Sequence, residues 1–501
     1  MKKVIISALI AFSILFSFVS CSAPDGNEDF NYDTPNAPSD QVDAELTDEE
    51  YGKFIENKFI STEEENVSTF AADVDTASYS YFRKLVNSGY SLRELIATAG
   101  SSIRTEEMIN YFDYGYESPA ESELFSTNMQ IAPCPWNEGA ALMILGLQAK
   151  HIETAKKNNL VFLIDVSGSM DSDDKLGLLK KSFSHLISKL GDDDKVSIVT
   201  YAGEEKVVLE GCSGAKKEMI LNAVNKLGSG GSTNGEAGIV RAYQIAEQNY
   251  ISGGNNRIIM ASDGDLNVGI SSEDELQSLV EEKRESGVFL SVLGFGTGNY
   301  KDAKMETIAD HGNGVYYYID SETEAEKVFG TDILSTLYTV AKDVKLQLTF
   351  NKEAISAYRL VGYENRLLNK EDFLDDTKDA GDLGAGHSLT VCYELILTEN
   401  AKKSENTWVE LGVRYKEPDG QKSKEQNYSF GNSFYTETPN DNFRFICAVV
   451  KTSMIIHESK YAEDIKLQSV KADLDSLNLS QNSYKAEFKE LIEKLIANEN
   501  N

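Results

Sequence analysis

The sequence predicts a doubly wound, Rossmann-like α/β domain inserted into a β-sandwich within an α+β flanking region, followed by a C-terminal helical segment. Three observations carry this reading. Strand-like and helix-like segments alternate from residue 158 to 342, the pattern of a sheet covered on both faces by helices. Segments of alternating apolar and polar residues, the mark of half-buried antiparallel strands, stand on both sides of that stretch. Beyond residue 441 the periodicity is helical. At 501 residues the chain is long enough for two to four domains.

From the N-terminus, Met1-Lys2-Lys3 and the apolar run Val4 to Val19 have the layout of a secretion signal over residues 1–20, too short for the roughly 20 residues of a spanning helix. The run ends in Phe18-Val-Ser-Cys21, which resembles a bacterial lipobox with Phe18 in place of the usual Leu. That resemblance implies that Cys21 is acylated after cleavage and anchors the chain to the cell envelope, outside the cytoplasm. Residues 21–47 are rich in Asp, Asn and Pro and read as an acidic tether.

Residues 48–157 form an N-terminal α+β region. Glu49 to Phe59 is helix-like, Val67 to Tyr79 looks like a strand entering a helix, and Ile103 to Phe112 signals another helix. Phe125–Cys134 and Ala140–Gln148 read as strands. Asp73-Val-Asp75 follows the first strand, as in aspartyl-phosphate phosphatases, but Ala77 breaks that pattern. Asp73 and Asp75 are instead expected to cap the helix or to pair with Arg83 or Arg104.

In the 158–342 domain the expected strands are Leu160–Asp165, Val196–Tyr201, Lys206–Leu209, Arg257–Ala261, Val288–Gly294 and Gly314–Ile319. The expected helices are Lys175–Leu190, Glu236–Gln248, Glu273–Ser286, Lys301–His311 and Thr323–Lys342. Residues 343–440 return to alternation, in Val344–Phe350, Ser388–Leu397 and Thr407–Tyr415, and are expected to complete the sandwich begun before residue 158. Residues 441–501 are helical. The apolar stretch Ile446–Ile456 is interrupted by Lys451 and reads as a core helix.

Within the α/β domain, Val161-Phe-Leu-Ile-Asp165-Val-Ser167-Gly-Ser169 is a buried strand delivering an acid and two hydroxyls into a tight turn. Gly168 lets the turn curl Asp165, Ser167 and Ser169 around one all-oxygen point, which suits a hard divalent cation. The glycine-rich run Gly228 to Glu236 presents Thr233, and Arg257 to Asp265 is a second buried strand ending in Asp263. In an open parallel sheet, sites form at the carboxyl ends of strands. An EF-hand is excluded, because Met170 and Val268 stand where its loop needs glycine.

These segments resemble the von Willebrand factor type A domain, and the residues resemble its metal-ion-dependent adhesion site. The resemblance implies that Asp165, Ser167, Ser169, Thr233 and Asp263 hold Mg²⁺ (or Mn²⁺/Ca²⁺), directly or through water, with one position left for a carboxylate. Tyr201, Ser262 and Asp265 are expected near the rim. Val67-Ser-Thr-Phe to Tyr79, Arg104 to Tyr114, Ala132-Pro-Cys-Pro-Trp-Asn137 and Ser262 to Gly269 further resemble the YfbK-like bacterial type A domain lipoproteins.

The net charge of −33 excludes an ordinary nucleic-acid surface, which needs clustered Lys and Arg. Cys134, Cys212, Cys392 and Cys447 lack zinc or redox spacing; an even count in an exported chain permits disulfides in any of three pairings, and scattered buried thiols are the preferred reading. The leading expectation is a lipid-anchored envelope binding protein that engages an unidentified partner protein through an Asp or Glu of that partner. The alternative is a structural envelope protein whose metal only stabilises the fold. A Mg-dependent hydrolase ranks last: no nucleotide loop and no paired nucleophile and base are apparent, so no enzyme activity is expected.

Overall fold

Two antiparallel sheets face one another, and the chain leaves them midway to build a third, mostly parallel sheet. The computed structural model describes residues 55–152, 156–231, 235–264, 273–284, 286–296, 302–401, 406–418 and 420–499. The expected signal segment, the tether, Cys21, Thr233 and Asp265 lie outside the described residues.

Before the excursion come β1 (Ile60–Ser61), β2 (Val67–Ala71), β3 (Phe125–Pro133) and β4 (Ala141–Ala149). The excursion supplies β5 (Asn158–Asp165), β6 (Lys195–Tyr201), β7 (Glu205–Ser213), β8 (Asn255–Ser262), β9 (Phe289–Gly294) and β10 (Tyr316–Tyr318). After it come β11 (Thr339–Phe350), β12 (Ile355–Val361), β13 (Leu367–Leu368), β14 (Gly381–Gly384), β15 (Ser388–Leu397), β16 (Thr407–Lys416) and β17 (Lys424–Gly431). One sandwich sheet has the order β1-β12-β15-β4-β3 and the other β13-β2-β11-β16-β17, with β14 also on β11. Strands from both sides of the excursion therefore pair directly, as in Phe70 opposite Leu346 and Leu145 opposite Val391.

The helices are α1 (Ala77–Asn87), α2 (Leu92–Ala99) and α3 (Thr105–Asn110) before the excursion, and α4 (Leu178–Lys189), α5 (Lys217–Asn225), α6 (Gly235–Gln248), α7 (Glu273–Arg284), α8 (Asp302–His311), α9 (Glu322–Glu326) and α10 (Ile333–Leu337) within it. The chain ends in α11 (Asp441–Ile456), α12 (Leu467–Asp475) and α13 (Ser483–Asn498). Among the described residues no helix is long and apolar enough to cross a membrane.

Packing explains the apolar runs. β4 is buried along its whole length: Met143, Leu145 and Leu147 face the sandwich core, while Leu142 and Ile144 face the helices. A strand covered on both faces loses its polar alternation. β5 is likewise wholly buried. Its Val161 and Leu163 share one core with side chains of α6 and α8, and its Leu160, Phe162 and Ile164 share another with side chains of α4 and α5. Phe162 stacks on Phe183 of α4 at 4.3 Å between ring centres. The third sheet has the order β10-β9-β8-β5-β6-β7, parallel except for β7, which runs antiparallel to β6. Chain order reverses between β5 and β8, a topological switch point.

Several expectations need correction. The helix expected over Thr323–Lys342 is two short helices, α9 and α10, separated by a wide turn at Lys327–Thr331, and from Thr339 the chain is already strand β11. There, pairing with β14 and β16 prevails over local helical spacing. Residues 55–59 of the helix expected at Glu49–Phe59 have no regular structure. α2, α5, β12 and β17 were not anticipated. The four cysteines Cys134, Cys212, Cys392 and Cys447 are buried free thiols.

Asp73 and Asp75 take a different partner from those expected. Arg366, which follows β12, donates Nε to Asp73 Oδ2 at 2.7 Å and Nη2 to Glu306 Oε1 at 2.6 Å, and Nη1 to Asp310. Its Nη2 lies 3.8 Å from Asp75 Oδ2. Glu306 and Asp310 belong to α8, so one guanidinium ties the excursion to the sandwich. Arg104 adds bonds to Glu107 at 3.0 Å and Glu306 at 2.5 Å. Arg83 makes a second tie, from α1 to Asp320 at 2.5 Å, Glu324 at 2.7 Å and Glu487 of α13 at 3.1 Å.

Candidate metal centre

Asp165 ends β5 opposite Tyr201 at the end of β6, and Asp263 follows the last residue of β8. Both acids thus stand at the carboxyl ends of the two strands that flank the switch point. Asp165 is buried and its carboxylate is held at both oxygens. Oδ1 accepts from Ser167 N at 2.8 Å, and Oδ2 accepts from Ser262 Oγ at 3.2 Å. Burial raises its pKa to about 6, Asp263 adds to the rise, and the bonds from Ser167 and Ser262 oppose it. Two buried carboxylates close together in a low dielectric call for positive charge.

The turn after Asp165 brings the hydroxyls together, with Ser167 Oγ and Ser169 Oγ 3.0 Å apart. The glycine-rich loop is pinned to this turn at three points. Gly230 N donates to Val166 O at 2.8 Å, Gly168 N to Gly231 O at 3.1 Å, and Ser229 Oγ to Asp171 Oδ1 at 2.8 Å. Gly230 and Gly231 both have positive φ, which only glycine adopts at no steric cost. The loop is therefore held against the turn two residues before Thr233.

Tyr201 and Ser262 were expected on the rim, but both are fully buried. Tyr201 closes β6 and its side chain packs over Gly238 of α6, where a Cβ would come within 2.9 Å of the Tyr201 Cβ and 3.0 Å of its ring Cγ. Ser262 lies under the site, orienting Asp165 and accepting from Gly264 N at 3.2 Å. They support the acids from beneath.

One residue of the site went unread in the sequence. Lys175 Nζ donates to Asp263 Oδ2 and to the backbone carbonyl of Ser169, each at 2.9 Å. The available signal was a single cation in Asp171-Ser-Asp-Asp-Lys175, immediately after the hydroxyl turn. The donors at this point are carboxylate, hydroxyl and carbonyl oxygens, and they already draw a positive group. That set fits a hard divalent cation. A separate cleft of about 1010 Å³, lined in part by Lys150, Arg284, Asp343, Asp379 and Lys416, includes none of these residues.

Comparison with known proteins covers most of the described chain. Residues 45–144 match the family described as von Willebrand factor, 159–331 the von Willebrand factor type A domain, and 335–497 the C-terminal part of uncharacterized protein YfbK. YfbK of Escherichia coli strain K12 is 38% identical over 471 residues, covering 88% of this chain and 80% of that protein. Human inter-alpha-trypsin inhibitor heavy chain H3 is 26% identical over 49% of this chain and 29% of its own length. Among solved structures, a von Willebrand factor type A protein from Catenulispora acidiphila aligns over 71% of this chain and 90% of its own, with a TM-score of 0.41 and 16% identity. With the Escherichia coli YfbK protein 38% identical over 88% of this chain and 80% of its own length, the chain belongs to the YfbK family of proteins built around a von Willebrand factor type A domain.

Proposed function

We propose that this protein is a lipid-anchored binding protein of the bacterial cell envelope, with its adhesion site at the carboxyl ends of β5 and β8. Asp165, Ser167, Ser169, Thr233 and Asp263 hold Mg²⁺ (or Mn²⁺/Ca²⁺), and a partner protein supplies an Asp or Glu carboxylate. The anchor is the acylated Cys21. The observation that carries this reading is the convergence, at one end of one sheet, of Asp165, two hydroxyls 3.0 Å apart and Asp263, with a cation already drawn to them. Bound there, the ion supplies a Lewis-acidic position that a carboxylate completes.

The chain's own residues prepare that position. Ser262 and the Ser167 backbone N–H orient Asp165, the Gly168–Gly231 bond holds the glycine-rich run against the turn, and burial keeps water from competing for the acids. The reading assigns no chemical conversion to the site.

The test is calorimetric titration of Mg²⁺ and of Mn²⁺ into the chelator-treated full chain in detergent, beside Ser167→Ala and Asp165→Ala. One-site heat that disappears in both variants is the expected result. Equal heat in wild type and variants would overturn the assignment of these residues. Incorporation of labelled fatty acid, lost in Cys21→Ser, tests the anchor.

The ion-paired ties through Arg83 and Arg366 favour one second reading, a structural envelope protein in which the ion only stabilises the fold. It predicts ion binding without capture of carboxylate-bearing peptides.

A further inference from the structure

We propose that Lys175 is a tethered internal cation that competes with the divalent ion for Asp263, so that the ion enters by displacing the lysine. This rests on the adhesion-site reading above and names what controls its affinity.

The lysine is placed, not merely nearby. Its ammonium bridges Asp263 Oδ2 and the Ser169 carbonyl at 2.9 Å each, and so spans both segments of the candidate site, the turn after β5 and the end of β8. Its side chain is mostly buried at 14% exposed, and that of Asp263 is 1% exposed. Water therefore screens the pair little. The turn that carries it, Asp173–Gly177, is a wide one, with Gly177 N bonded to Ser172 O at 3.2 Å. Single wide turns at a helix start recur at functional sites, because the extra residue redirects a side chain.

The path of the stem is also built. It runs across Gly296, where a Cβ would lie 2.3 Å from Lys175 Cε and 2.7 Å from Cγ. Gly296 has φ +79°, so its backbone too favours glycine. A residue with any side chain at 296 would close the channel that delivers the ammonium to Asp263.

A lysine is suited to this role where an arginine is not. Its charge is compact, on a flexible four-carbon stem, and it holds a carboxylate oxygen without the paired bonds of a guanidinium. A dication and an ammonium on the same carboxylate repel strongly at low dielectric. Ion binding therefore includes the work of moving Lys175 out, and the apparent affinity falls by that factor.

The experiment compares wild type, Lys175→Met and Lys175→Gln, as the chelator-treated full chain in detergent, by Mg²⁺ calorimetry and by thermal unfolding with and without Mg²⁺. Circular dichroism confirms that each variant is folded, and Gln keeps hydrogen-bonding capacity without the charge. The expected result is Mg²⁺ binding about tenfold tighter in both variants. With chelator both should melt earlier than wild type, and their gain on adding Mg²⁺ should be larger. Binding seen only in the variants supports the proposal equally. Affinities within about twofold of wild type, or weaker, would overturn it and make Lys175 a structural partner of Asp263, leaving the ion site standing. Folded proteins that bind no Mg²⁺ in any form would overturn both the proposal and the site reading beneath it.

Discussion

Two clusters of buried carboxylates in this protein are neutralised in opposite ways. At the seam between the type A domain and the sandwich, Asp73, Glu306 and Asp310 bond one guanidinium, that of Arg366, and Glu107 and Glu306 bond Arg104. At the end of the type A sheet, Asp165 accepts from the Ser167 backbone N–H and the Ser262 hydroxyl, both neutral donors, and Asp263 accepts from the ammonium of Lys175. Guanidinium forks with several carboxylates at once make a rigid, permanent tie. Neutral donors and an ammonium make a looser arrangement, which under the proposed function another cation takes over. Under the proposed function, the difference separates carboxylates that hold domains together from carboxylates kept ready for an ion.

The contrast can be broken first at the seam. Arg366→Met leaves the buried Asp73 and Glu306, and the partly exposed Asp310, without their shared cation, and is expected to cost about 3–5 kcal/mol. Denaturant unfolding checks this: a loss under about 1 kcal/mol would mean that Arg104 alone neutralises the cluster. The same change should leave Mg²⁺ affinity at the type A site untouched.

A pH experiment sharpens the comparison next, through two histidines that lie outside both clusters. Burial lowers His387 and His457 to about 4, and His457 Nε2 lies 2.6 Å from the Ile103 carbonyl. The neutral ring donates there. In the unfolded chain a histidine takes its proton near 6.5, so the stability these two rings contribute is full above that pH and is lost progressively between about 6.5 and 4. Each histidine contributes up to about 3 kcal/mol of that loss. His457→Gln keeps a donor for Ile103 and should flatten the acid limb of melting temperature against pH; an unchanged profile would assign the limb to other groups.

The smallest expected effect lies at Gly296. Gly296→Ala should cost about 1 kcal/mol through its backbone conformation and should also push Lys175 aside. Mg²⁺ binding that tightens in Gly296→Ala, as in Lys175→Met, would tie affinity to the position of the ammonium. Weakened binding would show that Gly296 shapes the site by another route.

Some of this was legible in the sequence and some was not. Asp165, Ser167 and Ser169 were readable because they occupy one turn, and Asp263 because it ends a second buried strand. Lys175 was read as the start of the helix through Leu190, since nothing local says that its stem crosses Gly296. Asp73 and Asp75 were assigned to Arg83 or Arg104, close by in the chain, whereas Arg366 lies 293 residues from Asp73. Thr339–Lys342 followed helical spacing until β14 and β16 claimed it as a strand.

The sequence by itself determined the alternation of strands and helices, the two acids at strand ends and the turn between them. These depend on apolar period, glycine and β-branched content over a few residues, where short-range sterics and burial act. Only the tertiary structure decided which cation meets which carboxylate, and that Tyr201 and Ser262 lie under the site. Such pairings join residues that come together only after the sheets have formed, and in a low-dielectric interior each buried charge must find its partner wherever the chain happens to bring one.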